Sequence, residues 1–232
     1  MTVAPFLLLL AAPGAIDAER AFAAMAQTEG QWTAFRAWAA PDALFWAPEP
    51  VNAQQWLAGR KDPPVPVMWW PGRAWVSCDG ALAVTTGPWI RSGGKATGTF
   101  TTVWQRRPDG AWKWQLDHGR NTPRAVPAGD DPVVERPVCR NLAEAGARPP
   151  STRAGSDVLV QLDGRMPGNE MPDLAAAEGA VLGSGASPDG SLRWEARALA
   201  GGEGAHTLRV WTWRGRRHEL ALFEATGLSA GE

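Results

Sequence analysis

His118 is the residue of this 232-residue sequence best suited by type and surroundings to acid–base chemistry. Strict alternation along a strand puts Trp112, Trp114, Leu116 and His118 on one face, which is the aromatic and concave side. A neutral imidazole beside an apolar pocket can act as a general base near pH 7, because its ordinary pKa lies in that range. A pocket-rim histidine that only hydrogen-bonds a backbone carbonyl fits the same pattern.

The same alternation puts Lys113, Gln115 and Asp117 on the opposite face of that strand. Asp117 and His118 therefore cannot both enter one pocket without a bulge. Asp42 is the candidate acid that could pair with His118 across the pocket entrance. A turn that ends the preceding helix at Pro41-Asp42 explains this aspartate equally well.

Tryptophan is the most distinctive component of the sequence, with fourteen copies against no tyrosine. Eleven of the fourteen fall within the first 114 residues, so they concentrate in one half of the chain. The predicted pocket residues are Trp46, Trp70, Trp104, Trp112 and Trp114. Large indole rings suit stacking on a flat ligand, and they equally suit filling a wide apolar core.

Other chemical signatures are missing from the sequence. The run at 91–95 (RSGGK) lacks the spacing of a phosphate-binding loop, and no serine has nucleophile-elbow surroundings. His206 and His218 have no metal-ligand spacing, and no CxxC motif is present. We therefore expect no metal ion and no cofactor.

Charge and hydropathy restrict the partners and the compartment. A formal net charge of −1 with interspersed signs makes nucleic acid an unlikely partner. Residues 6–12 (FLLLLAA), followed by Pro-Gly-Ala, predict a secretory signal within residues 1–15 and a periplasmic or secreted protein. The run is too short to cross a bilayer, so no integral membrane segment is expected. The alternative is an ordinary N-terminus on a cytoplasmic protein.

Two cysteines, Cys78 and Cys139, allow one disulfide. Cys78 lies beside a predicted Asp-Gly turn, whereas Cys139 lies in a poorly patterned segment that a bridge would hold in place. Such a bond agrees with export, and two unpaired, reduced cysteines are the alternative in a cytoplasmic protein.

The pattern of apolar residues predicts an α+β fold. Residues 15–39 have helical periodicity interrupted at Gly30, which indicates a helical hairpin. A short strand at 43–46, a short helix through Trp56 and a proline-rich loop at 62–71 follow. Four antiparallel strands are then predicted, at 73–78, 81–87, 97–105 and 111–118, with Asp-Gly at two of their turns.

The rest of the chain has a different pattern. Residues 121–152 are rich in Pro, Ala and Gly and predict a linker. Residues 153–227 predict a smaller antiparallel β region, with a turn at 187–190 and a hairpin around Gly215.

The order of elements in the first half resembles the nuclear transport factor 2-like superfamily. The run from Ala18 to Leu57 looks like the helix pair, apolar strand and helix of bacterial SnoaL-like and calmodulin-kinase-association-type domains. The segment 108–119 (PDGAWKWQLDHG) resembles their final strand. The resemblance implies a cone-shaped domain over residues 16–120, with a helical hairpin on a curved antiparallel sheet around an apolar pocket. The superfamily includes isomerases, cyclases, dehydratases and association modules, so the fold does not decide the function.

Three functions are compatible with these observations. The first is binding of a small apolar or aromatic ligand in the tryptophan-rich pocket. The second is an isomerase, cyclase or dehydratase that uses His118 as general base. The third is an interaction domain that forms a homodimer through its open sheet face.

Overall fold

The computed structural model describes residues 14–129, 131–151, 153–172, 178–200 and 204–227. The predicted signal segment, residues 1–15, lies outside this set except for its last two residues, and Ala15 begins the first helix. Within these ranges, no helix has the length and apolar character needed to cross a membrane.

A helical hairpin opens the described chain, as the sequence predicts. Helix α1 spans Ala15–Thr28 and α2 spans Gln31–Trp38. Gly30 joins them with φ of 113°, and a Cβ added there would lie 2.4 Å from the Asp62 side chain. Asp62 accepts hydrogen bonds from the backbone N–H of Trp32 and Thr33, so this position must be glycine for the carboxylate to cap α2.

Eight strands form the first sheet. They are β1 (Ala39–Trp46), β2 (Pro50–Asn52), β3 (Met68–Trp69), β4 (Arg73–Val76), β5 (Leu82–Arg91), β6 (Ala96–Arg106), β7 (Trp112–Asn121) and β8 (Val133–Glu135). The order is β2-β1-β7-β6-β5-β4-β8, with β3 paired to β5. Pairing is antiparallel except for β1 with β7 and β4 with β8. A short helix, α3 (Ala53–Leu57), follows β2, and the Asn52 side chain accepts from the Gln55 N–H at its start.

The second half contributes a separate sheet of five strands. They are β9 (Ala154–Leu162), β10 (Glu178–Ala186), β11 (Leu192–Leu199), β12 (His206–Trp213) and β13 (His218–Thr226). The order is β10-β11-β12-β13-β9, antiparallel except between β13 and β9. The α+β class and the second, β-rich region predicted from the sequence are both confirmed.

The segment predicted as a linker is part of the folded structure. Its strand β8 extends the first sheet beside β4, and it contains the six-residue helix α4 (Leu142–Ala147). Cys139 forms a disulfide with Cys78, with a Cα–Cα distance of 5.6 Å. That separation lies within the range that a disulfide requires.

Two apolar cores lie on opposite faces of the first sheet. The helices cover one face, where Phe22, Trp104 and Trp114 are buried. The second sheet covers the other face, where Leu116 packs in one cluster with Leu222. The two halves of the chain therefore share a hydrophobic interior.

A β-bulge at Gln115 corrects the predicted orientation of His118. On β6, Trp104 pairs with Trp114 but Val103 pairs with Leu116, so Gln115 has no partner in the ladder. The extra residue reverses the alternation. Trp112 and Trp114 face the helices as predicted, whereas Leu116 and His118 face the second sheet.

Candidate functional site

An apolar cavity of about 240 Å³ lies between the helices and the first sheet. Helix α2 and strands β1, β3, β5, β6 and β7 contribute to its wall. Its aromatic lining residues are Trp32, Phe35, Phe45, Trp69, Trp89 and Phe100. The cavity therefore offers ring faces and edges on several sides, which favours a flat apolar occupant.

Asp117 is the acidic residue of the cavity wall, brought there by the bulge at Gln115. Its Oδ2 accepts a hydrogen bond of 2.7 Å from the Thr102 hydroxyl. Its Oδ1 makes no hydrogen bond to the residues that the structure describes. Burial raises the pKa of Asp117 to about 8, although Thr102 opposes this, and the nearby Glu19 raises it further. At neutral pH the carboxyl is mostly protonated and can donate a hydrogen bond.

Glu19 on α1 lies fully buried behind this aspartate. It accepts hydrogen bonds from Trp69 Nε1 at 2.7 Å, Trp104 Nε1 at 2.8 Å and Thr85 Oγ1 at 2.6 Å. Burial nevertheless raises the pKa of Glu19, because these donors offset only part of the cost of removing a charge from water.

Thr102 lies close to both carboxyls, and its hydroxyl donates to Asp117. Its proximity to Glu19 lowers the pKa of that glutamate slightly. A hydroxyl has one proton and can donate to only one carboxyl at a time.

His118 lies in a different environment, a buried polar network between the two sheets. Its Nε2 is 2.8 Å from Glu224 Oε2, and its Nδ1 is 2.9 Å from His206 Nε2. Arg120 contacts the same Glu224 oxygen at 2.6 Å, and the Thr101 hydroxyl donates to the other at 2.6 Å. Both ring nitrogens of His118 are thus occupied by side chains of the second sheet.

Burial and neighbouring charges shift the pKa values of the glutamate and the two histidines in this network. Burial disfavours the charged form of Glu224, but Arg120, His118 and Thr101 outweigh it and lower the pKa of the glutamate. Burial lowers the pKa of His118 despite Glu224, and Arg120 lowers it further. Burial, with the nearby His118, lowers the pKa of His206 to about 3. His118 also borders the cavity, but both of its ring nitrogens are engaged between the sheets, so its general-base role stays a prediction from the sequence.

Asp42, the predicted partner of His118, is exposed on β1. Among the described residues, its side chain makes no hydrogen bond to His118. The register of β1 shifts between Ala39 and Leu44, so Asp42 lies in an irregular stretch of the strand. The structure does not bring these two residues together.

The five predicted pocket tryptophans do not line the cavity. Trp104, Trp112 and Trp114 are buried in the core beneath the helices. Trp46 stacks on His206 with ring centroids 3.9 Å apart, which places it between the sheets. Trp70 is 40% exposed and borders a separate surface groove of about 310 Å³. Most of these tryptophans therefore pack in the interior, which was the alternative interpretation of the sequence.

Sequence reasoning missed the cavity's acidic residue and several of its aromatic residues. No local signal marks the bulge, because Gln115 continues the polar–apolar alternation of the strand. Within the described ranges, no group of three or more His, Cys, Asp or Glu residues could hold a metal ion.

Similar solved structures cover either a little under half of the chain or, for a nuclear transport factor 2-like protein from Bacteroides fragilis, 90% of it at 11% identity and a TM-score of 0.24. No protein-family model matches the sequence, and no curated protein matches it significantly. In fold, the N-terminal half is similar to nuclear transport factor 2-like proteins. Its α-helical hairpin, short strand and helix, proline-rich loop and antiparallel strands have the order that the sequence resemblance implies.

Three solved structures illustrate the similarity. A Parabacteroides distasonis protein provisionally described as a ketosteroid isomerase is 18% identical, covering 45% of this chain and 85% of its own, with a TM-score of 0.37. A nuclear transport factor 2-like protein of unknown function from Shewanella oneidensis is 17% identical over 43% and 91%, with a TM-score of 0.35. A protein from Exiguobacterium sibiricum, provisionally described as a calmodulin-dependent kinase II association domain, is 14% identical over 44% and 89%, with a TM-score of 0.32. Identities and scores at this level carry no argument about activity.

Proposed function

We propose that the first half of the chain binds a small, flat, largely apolar molecule that carries one hydrogen-bond acceptor, such as a carbonyl oxygen. The observation that carries this proposal is Asp117, a buried carboxyl with a raised pKa on the wall of an aromatic cavity. A neutral carboxylic acid in such a place donates a strong hydrogen bond without bringing a charge into the apolar surroundings.

The size of the cavity limits the ligand. Its volume of about 240 Å³ is below the ~300–1,000 Å³ typical of pockets for drug-sized molecules. A ligand of one or two fused rings suits this space. Its rings would contact Trp32, Trp69 and Trp89, and its polar atom would meet Asp117.

A second candidate function is enzymatic proton transfer of the isomerase, cyclase or dehydratase kind. The neighbouring buried carboxyls of Asp117 and Glu19 favour it, because two coupled carboxyls with raised pKa values can exchange a proton. In this second candidate function, Asp117 takes the general acid–base role that was predicted for His118.

Binding can be tested by tryptophan fluorescence and calorimetry with a series of aromatic ketones and their deoxygenated analogues. We expect ketones to bind and the deoxygenated analogues to bind at least tenfold more weakly. Asp117→Leu, which removes the donor, should abolish most of that preference, whereas Asp42→Leu, a matched change at an exposed aspartate, should leave it intact. Equal affinity for both series would contradict the proposal.

Proton transfer has a separate measurement. Each ketone that binds is incubated with the protein in D₂O, and exchange of its α-hydrogens is followed by NMR. Catalysed exchange that is lost in Asp117→Asn and reduced in Glu19→Gln would favour the enzyme. Binding without exchange would favour a domain that binds the ketone and catalyses no reaction on it.

A further inference from the structure

The second sheet has the same strand topology as the core of the first. Strands β4-β5-β6-β7-β1 are neighbours in that order, and β10-β11-β12-β13-β9 are neighbours in the corresponding order. In each set the first three pairings are antiparallel and the last is parallel. In each set the strand that comes earliest in the chain pairs in parallel with the last one.

The registers of the two sheets share a β-bulge at the same place. The bulge of β7 falls between the pairs Val103–Leu116 and Trp104–Trp114, and that of β13 falls between Val210–Leu222 and Trp211–Leu220. The parallel pair shows a second shared irregularity. β1 shifts register between Ala39 and Leu44, and β9 shifts over the same five positions, between Ala154 and Leu159.

The turns after β4 and β10 are also equivalent. Ser77 and Ser187 each donate a side-chain bond of 2.6 Å to the aspartate two residues on. These two turns then bond each other reciprocally: the Asp79 N–H donates to Asp189 Oδ2 at 2.8 Å, and the Asp189 N–H donates to Asp79 Oδ2 at 3.1 Å. A reciprocal contact of equivalent residues is the mark of a two-fold axis.

The interface between the sheets follows the same symmetry. Equivalent residues from both sheets pack together in it, and the pairs are Leu44 and Leu159, Leu82 and Leu192, Val84 and Trp194, Val103 and Val210, and Leu116 and Leu222. The aligned registers make His118 equivalent to Glu224, and these two residues contact each other at 2.8 Å.

We infer that residues 154–226 are a second copy of the five-strand unit of the first half. This copy covers the face of the first sheet that lies opposite the helices, so the two units pair through their sheets within one chain. The two units are thus related by a two-fold axis and are covalently linked. A homodimer of the whole protein would have to use a different surface.

The second copy differs where the first one has its cavity. Asp117 and Thr102 correspond by register to Phe223 and Arg209, and the Arg209 guanidinium lies 5.1 Å from the centre of the Phe223 ring. In the described part of the second half, the one helix is α4, with six residues against fourteen in α1. The second copy therefore supplies a partner surface rather than a second acidic cavity.

Dilution of the full-length protein tests whether the pairing lies within the chain. Hydrogen exchange of the β7 and β12 amides is compared by mass spectrometry from 100 μM to 0.1 μM. We expect no change, because covalently linked units do not separate on dilution. Faster exchange at low concentration would place the second sheet on the first sheet of another chain and would overturn the inference.

Exchange of residues across the axis tests the equivalence itself. His118→Glu and Glu224→His are made singly and together. Each single change should lower the melting temperature by roughly 10 °C, because His118→Glu puts two buried carboxyls in contact and Glu224→His removes the paired carboxylate of Arg120. The double variant should recover more than half of that loss, because the two positions are equivalent. A double variant that melts no higher than the less stable single variant would refute the symmetry.

Discussion

Asp117 and His118 are adjacent on β7, yet their side chains lie in different compartments of the molecule. Asp117 lies on the wall of the aromatic cavity beneath the helices, and His118 joins Glu224 and His206 between the sheets. Outside a bulge, residues that are neighbours in a strand point to opposite faces. The bulge at Gln115 decides which of the two meets the cavity.

The raised pKa of Asp117 predicts a specific dependence of stability on pH. A carboxyl with a raised pKa in the folded state stabilises the protein below its unfolded pKa, and this stability is lost as the pH rises toward the folded value of about 8. The free energy of unfolding should therefore fall by roughly 1.4 kcal/mol per pH unit between about pH 4 and pH 8, relative to Asp117→Asn.

Urea unfolding of both proteins at several pH values measures this difference. The asparagine oxygen can still accept from Thr102, so the variant is expected to fold. Parallel stability curves for the two proteins across that range would show that Asp117 titrates normally.

His206 predicts the opposite behaviour on the acid side. Its folded pKa of about 3 lies below the ordinary value, so its contribution is complete above about pH 6.5 and is lost as the pH falls toward 3. His206→Gln should lose less stability than the wild type between pH 6 and pH 4. Thermal melts of both proteins at fixed ionic strength would measure this.

The disulfide predicts both stability and compartment. Cys78 and Cys139 are 61 positions apart, and closing a loop of that length reduces the entropy of the unfolded chain. The double variant Cys78→Ser/Cys139→Ser should lose about 4 kcal/mol. Protein purified from the periplasm should gain about 2 Da on reduction, as one disulfide requires. An unchanged mass would mean that the protein has no disulfide, and the proposed export would then lose the support of this bond.

The sequence was sufficient for the helical hairpin, the four central strands of the first half and the turns at Asp79-Gly80 and Asp109-Gly110. These features depend on local periodicity and turn chemistry. The sequence was not sufficient for β10, where glycines at 183 and 185 make room for the Trp194 ring instead of supplying an apolar face of their own. The orientation of His118 was also missed, because a bulge depends on tertiary pairing and leaves no mark in the alternation of residue types.

The candidate site depended even more on tertiary structure. The raised pKa of Asp117 comes first from burial that no local pattern reveals and then from Glu19, about 100 positions earlier in the chain. Likewise, Glu224 became visible as a partner of His118 only when the second sheet was seen to cover the first.

Glu224 provides the last prediction, which concerns the buried network as a whole. Its carboxylate pairs with Arg120, whose side chain is fully buried, and Glu224→Gln would remove the carboxylate that pairs with this guanidinium. Loss of one partner from a buried pair costs about 3–5 kcal/mol, whereas replacement of the whole network by apolar side chains costs much less. Glu224→Gln should therefore be more destabilising than the triple variant His118→Leu/Arg120→Met/Glu224→Leu.

Glu144→Gln, which breaks an exposed ion pair with Arg148, should change the free energy of unfolding by less than about 1 kcal/mol. Urea unfolding of all three variants measures the order, and a triple variant less stable than Glu224→Gln would show that the charged network itself stabilises the interface.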